Sequence, residues 1–185
     1  MAGGKNRVCP VERAGSLEHW LRKLLQNPNG IVGRYLKPGM SAIDFGCGPG
    51  IFSIEMAKMV GGKGRVFAVD LQQGMLDRLA AKIKGTKLSS IIKLHRCSEN
   101  SIGLKEKLDF VLAFYVVHEV PDQTKLFQEI KSLMKPNAML LVVEPSFHVS
   151  KKEFQGTVEK ALSLGFKAIE MPRVFFSRSV LLGLK

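Results

Sequence analysis

The sequence predicts an α/β fold, a mostly parallel sheet with helices on both faces. Short apolar runs alternate with amphipathic stretches along the chain, the pattern of repeating β–α units. Residues 110–114 are apolar throughout, which suits a strand covered on both faces. A third observation bears on function. A glycine-rich turn, Asp44-Phe45-Gly46-Cys47-Gly48-Pro49-Gly50, falls between an apolar strand and a helix. Sheets of this kind bind ligands beyond the carboxyl ends of their strands.

The elements follow in order. Leu17, Trp20, Leu21, Leu24 and Leu25 recur at spacings of three and four, predicting a helix over 16–26 with Ser16 as its N-cap. Asn27-Pro28-Asn29-Gly30 breaks that pattern, a second short helix is expected over 31–36, and Pro38-Gly39 marks a turn. Strands are expected over 40–45, 65–69, 91–95, 110–114 and 139–143. Helices are expected over 51–60, 73–84, 121–134 and 151–164. The second of these carries Met75, Leu76, Leu79 and Ile83 on one side. Pro121 suits a first helical turn, and Gly165 suits the residue just past a helix end. Residues 166–170 and 175–184, broken at Pro172, read as a closing pair of strands.

At 185 residues the chain is expected to form one domain with a real core. Hydrophobic residues at 45% and charged residues at 24% exclude a disordered chain, a collagen repeat and a pure coiled coil. No apolar stretch nears the roughly 18 residues needed to span a bilayer. The polar first nine residues do not read as a secretory signal. Cys9, Cys47 and Cys97 are odd in number and widely spaced, without a zinc-ligand pattern. Reduced thiols in a cytoplasmic protein are the expectation. Against 16 acidic residues stand 28 basic ones, a net charge of +12. A basic surface attracts nucleic acid, anionic membranes and acidic substrates. The basic residues (Arg22, Lys23, Arg34, Lys37, Lys82, Lys84, Lys87, Lys151, Lys152) form no run of five or six.

The glycine turn has the form D-x-G-x-G-x-G. Its glycines allow a tight turn and close approach of backbone to ligand, and the next helix offers free N–H groups. A dinucleotide site wants G-x-G-x-x-G, but Ile51 occupies that third position. Asp44, two residues ahead of Gly46, would repel a pyrophosphate yet help hold a cationic amino group. Asp70 ends the second strand, 24 residues after Gly46, where an acid meets a ribose diol.

On these residues the chain resembles the class I S-adenosylmethionine-dependent methyltransferases, in pattern closest to the ubiquinone/menaquinone C-methyltransferases and type 11 proteins. The likeness covers about residues 38–170. It rests on Asp44 to Gly50, on Val69-Asp70, on the spacing from Cys97 to Asp109, and on Ala113-Phe114-Tyr115 before Pro121-Asp122. It implies a Rossmann-like seven-stranded sheet, mostly parallel, whose last strand is antiparallel. It implies a helical lid over 1–37 and a cofactor-binding core over 38–185. Gly46 and Gly48 would pass under the methionine part of S-adenosylmethionine, within a loop that also brings Asp44, Cys47 and Gly50. Asp70 would hold the ribose hydroxyls, Leu71 would pack on the adenine, and Phe114 would lie beside the methionine part. Where the family usually places Asp or Asn for the adenine amino group, this sequence has Cys97, then Ser98 and Glu99.

Methyl transfer from a sulfonium is an in-line displacement needing positioning and no metal. A poorly nucleophilic acceptor also needs a base. Tyr115, His118 and Glu119 follow the fourth strand, and His118 titrates near neutrality. Glu144 and His148 follow the fifth strand and face the same rim. His19, Trp20 and Arg22 in the lid are candidate substrate contacts. The expected acceptor is a small molecule. An RNA acceptor is the second reading, drawn from the charge; a non-catalytic cofactor-binding protein and a nicotinamide-binding protein are others. Base-directed amino-group methylation is disfavoured by Ala113-Phe114-Tyr115-Val116, and pyrimidine-carbon methylation by the absence of Pro-Cys. Arsenite methylation needs a cysteine set that Cys9 and Cys97 alone do not make.

Overall fold

A computed structural model describes residues 27–185. The helix expected over 16–26, with His19, Trp20 and Arg22, and Cys9 lie outside the described residues. Seven strands form one sheet: β1 (Ser41–Phe45), β2 (Arg65–Asp70), β3 (Ile92–Arg96), β4 (Leu108–Phe114), β5 (Met134–Pro145), β6 (Phe166–Glu170) and β7 (Ser177–Leu184). Their order is β3-β2-β1-β4-β5-β7-β6. Strands β1 to β5 pair in parallel, and β7 runs antiparallel between β5 and β6. The chain reverses its direction of travel across the sheet between β1 and β4, so a crevice opens at their carboxyl ends.

Strand residues alternate between two cores. Ile43, Phe45, Val111 and Ala113 face one layer; Ala42, Phe110 and Leu112 face the other. Helices α5 (Gln123–Leu133) and α6 (Lys151–Ser163) supply Leu126, Phe127, Phe154 and Val158 to the first. Helices α1 (Pro28–Val32), α2 (Ile51–Val60) and α3 (Gln73–Ile83) supply Val32, Phe52, Met56, Leu76 and Leu79 to the second. Among the described residues no helix is long and apolar enough to cross a membrane.

Several expected boundaries shift for identifiable reasons. The Asn27-Pro28 pair read as a breaker instead starts α1. Asn27 caps it, its Oδ1 accepting from Asn29 N at 3.1 Å, and Pro28 fits the first turn, where no N–H is needed. The helix expected over 31–36 therefore lies earlier. Pro121 stays outside α5, because the Asp122 side chain takes the cap by accepting from Lys125 N at 2.9 Å. Strand β5 begins five residues before the expected 139. Its Pro136 is tolerated because pairing with β7 begins only at Met139. One helical turn, α4 (Leu88–Ile91), and a 3₁₀ turn over Val117–Glu119 carry no apolar periodicity and were not expected. Phe175 and Phe176 precede β7 rather than begin it.

Candidate functional site

The glycine loop is held from behind by β2. Gly46 N and Cys47 N both donate to Val69 O, at 2.8 and 2.9 Å. Gly48 N donates to Asp70 Oδ2 and Gln72 N to Asp70 Oδ1, each at 2.8 Å. Three glycines have left-handed backbone, but for different surroundings. A Cβ on Gly46 would sit 2.5 Å from Val116 Cγ2, and one on Gly50 2.3 Å from Leu79 Cδ1. A Cβ on Gly48 would meet nothing within 4 Å. That open space is a cradle beside the Asp70 carboxylate. Burial raises the Asp70 pKa, opposed by the backbone N–H groups it accepts.

Asp44 lies in the wall behind the loop. It is buried, and Ser53 Oγ at the start of α2 donates to its Oδ2 at 2.5 Å. Burial raises its pKa to about 6, with the Ser53 bond working against the rise and the Asp70 charge adding to it. Cys47 is buried and its thiol is pushed strongly upward by burial, so it acts as a small apolar side chain within the loop. Cys47 and Cys97 are both free thiols.

The carboxyl ends of β2 and β3 bring in the next group. Leu71 is half-buried, and its carbonyl accepts from Arg96 Nε at 3.3 Å. Cys97 N donates to Asp70 O at 3.1 Å, and burial raises the Cys97 thiol to about 11. Ser98 is exposed and closes a small turn, its N donating to Ser101 O at 3.0 Å. Phe114 ends β4 with its ring 4.4 Å from that of Phe52 and 4.3 Å from that of Tyr115.

Beyond β4 the backbone turns sharply. Tyr115 has φ 59°, a left-handed conformation costly for an aromatic residue, and its N–H donates to Val143 O at 2.8 Å. Its hydroxyl shares a hydrogen bond with Ser177 Oγ at 2.6 Å. The 3₁₀ turn then places His118 against Glu144, the last residue but one of β5. Glu144 is 1% exposed and grips His118 twice: Oε1 accepts from the backbone N–H at 3.2 Å, and Oε2 pairs with ring Nδ1. Partial burial works to lower the His118 pKa. The Glu144 hydrogen bond and charge, with Glu119 and Glu153, outweigh it, so the net shift is upward. The His148 ring stands edge-on at 5.0 Å.

The loop, Asp70, Phe114 and the His118–Glu144 pair thus share one rim. Ser53, Phe52 and Ser177 were not singled out from sequence. A lone serine or phenylalanine outside the motif carries no spacing signal, and each matters only through a partner distant in the chain.

The fold is that of a class I S-adenosylmethionine-dependent methyltransferase. Residues 36–171 match the methyltransferase-domain family, and the chain belongs to it. The demethylmenaquinone methyltransferase of Lactobacillus johnsonii is 32% identical over 112 residues, 60% of this chain and 46% of that protein. The chain spans about half the length of the curated relatives it matches. A SAM-dependent methyltransferase from Aquifex aeolicus superposes with a TM-score of 0.80 at 26% identity, over 95% of this chain and 97% of that one. A TehB-like SAM-dependent methyltransferase from Corynebacterium glutamicum shares the fold, with a TM-score of 0.73 at 13% identity over 95% and 98%.

Proposed function

We propose that this chain transfers a methyl group from S-adenosylmethionine to a small aromatic acceptor, with His118 as the general base. The observation that carries the reading is the glycine loop bonded to Asp70, with open space where Gly48 lacks a side chain. That donor and acceptor set fits S-adenosylmethionine. In this reading Asp70 accepts from the ribose hydroxyls, Leu71 covers the adenine, and Gly46 and Gly48 let the methionine part approach the backbone. Phe114 supplies an apolar wall beside it. Ser98 is committed to its own turn, so the backbone around Cys97 is the better candidate for the adenine edge. Of the lid expected over 1–37, Val32, Tyr35 and Leu36 are buried in the second core, so the lid role is proposed for the part before Asn27, with His19, Trp20 and Arg22 as substrate contacts.

The cofactor supplies an electrophilic methyl group on a sulfonium, and the bond to sulfur breaks as the bond to the acceptor forms. This chain supplies orientation and a proton acceptor. Glu144 holds Nδ1 of His118, which leaves Nε2 to take the proton the acceptor loses. The resulting imidazolium is stabilised by the same buried carboxylate. The relatives are named for demethylmenaquinone, and we take an aromatic quinol-type ring as the acceptor class.

Calorimetric titration with S-adenosylmethionine and S-adenosylhomocysteine, with NAD as control, tests the first step. Micromolar binding of both adenosyl ligands, lost in Asp70→Ala, is expected. Binding of NAD instead would overturn the reading. Labelled-methyl transfer to naphthoquinols and to RNA then separates the two acceptor classes.

A further inference from the structure

We propose that the rim of the site is also a docking surface for an anionic lipid membrane, built from Phe147, Phe175 and Phe176 with a basic border. Single exposed apolar side chains are ordinary, but a contiguous group has a purpose. Six large apolar residues among the described residues are exposed. Phe147, Met171, Phe175 and Phe176 lie on just two connections, β5 to α6 and β6 to β7. Because β6 runs parallel to β5, both connections emerge at the carboxyl ends of the strands. They are bonded to each other: Ser146 N and Oγ both donate to Phe176 O, at 3.0 and 2.8 Å, and Arg178 donates to Ser146 O at 3.4 Å.

The aromatic side chains are held outward. Phe147 is 79% exposed and Phe176 64%, and the rings of Phe175 and Phe176 meet edge to face at 4.3 Å. Phe176 has φ 49°, unfavourable for a bulky residue, and the two bonds from Ser146 keep it there. Arg173 is exposed on the β6–β7 connection, Lys151 and Lys152 are exposed in the first turn of α6 where the other connection ends, and Arg178 is half-buried near the start of β7. One acid, Glu153, stands among them; Glu170 is engaged by Arg34 at 2.6 Å and Tyr35 at 2.5 Å. Aromatic residues that insert and cations that border them are the two components of interfacial binding, and the net charge of +12 favours an anionic leaflet over a neutral one. The proposal holds whatever the methyl acceptor is, since it concerns where the mouth of the site sits.

Co-sedimentation of the full chain with phosphatidylglycerol–phosphatidylcholine vesicles, and with phosphatidylcholine alone, tests it. Each basic residue near an anionic surface strengthens partition about fivefold, so clear preference for the anionic vesicles, weakened by salt, is expected. Each inserted phenylalanine contributes about tenfold or more. The Phe147→Ser/Phe175→Ser/Phe176→Ser variant is therefore expected to bind the anionic vesicles at least about a hundredfold less, with its Tm and its binding of S-adenosylhomocysteine unchanged. If the triple variant has a lowered Tm, Phe147→Ser alone provides the test, with about a tenfold loss expected. The proposal is overturned if the natural chain stays in the supernatant, as it would were another segment or a second copy seated on the patch. It is overturned equally if natural and variant chains bind alike, or if a short RNA duplex binds more tightly than the vesicles and is indifferent to the substitutions.

Discussion

Gly48 and Gly50 separate two uses of glycine that a motif makes look alike. Both have left-handed backbone, φ 52° and 85°. For any other residue that conformation costs about 1–2 kcal/mol, and the stiffer unfolded chain returns roughly 0.4–1 kcal/mol. At Gly48 nothing lies within 4 Å of an added Cβ. Gly48→Ala should therefore lose only about 1 kcal/mol, or about 2–4 °C in Tm for a chain this size. At Gly50 the Cβ would lie 2.3, 2.8 and 2.9 Å from three atoms of Leu79, which is itself wholly buried and has nowhere to retreat. Overpacking of that kind adds about 1–3 kcal/mol. Gly50→Ala should thus cost about 2–4 kcal/mol in all, or about 4–16 °C. Differential scanning calorimetry gives the stabilities, and titration with S-adenosylhomocysteine gives the binding. The expected pattern is a Gly48→Ala protein that stays stable yet binds at least about tenfold more weakly, because its methyl fills the cradle. A Gly48→Ala protein that binds normally would refute the cofactor placement. A Gly50→Ala protein as stable as Gly48→Ala would refute the packing reasoning.

Three further outcomes follow from the charged groups and the strained turn. The acid limb of the kcat/KM profile should lie above the ordinary imidazole range. In Glu144→Gln it should move to lower pH, because burial then acts without the opposing carboxylate; an unmoved limb would show that His118 is not the titrating base. Asp44 binds a proton more readily folded than unfolded, so its contribution to stability falls as pH rises from about 4 to about 6 and stays low above. The difference is on the order of 3 kcal/mol. Asp44→Asn should flatten urea-derived stability across that window, and an unchanged slope would locate the proton elsewhere. Tyr115→Phe removes one hydroxyl hydrogen bond to Ser177 and should cost about 1 kcal/mol in the same assay with the fold intact; a loss several times larger would mean that the hydroxyl holds the turn itself.

The α/β class and strand count were legible because buried parallel strands are written as uninterrupted apolar runs, as in residues 110–114. The helix over Ile51–Val60 was legible at both ends because Gly50 and Gly61 bound it. Residues 134–138 were not, since Pro136-Asn137 reads as a turn and only the open edge of β5 lets it be strand. The glycine loop and Asp70 could be found because their spacing is local. The grip of Glu144 on His118 spans 26 positions, and Tyr115 finds Ser177 across 62. Such pairings are made by β4, β5 and β7 lying side by side, which no local window contains.

The insertion of β7 between β5 and β6 has a bearing on how the chain is made. Strand β7 is the last of the seven to leave the ribosome, yet it is internal to the sheet. Until residues 177–184 arrive, β5 presents a bare edge and β6 has no partner, so the nascent chain carries two open templates for pairing with another chain. Completion of the sheet thus waits for residues 177–184, and the contacts that complete it lie on the same side of the molecule as Glu144. A ligand pocket assembled that late exists only in chains that have already passed the stage at which they were most prone to aggregate.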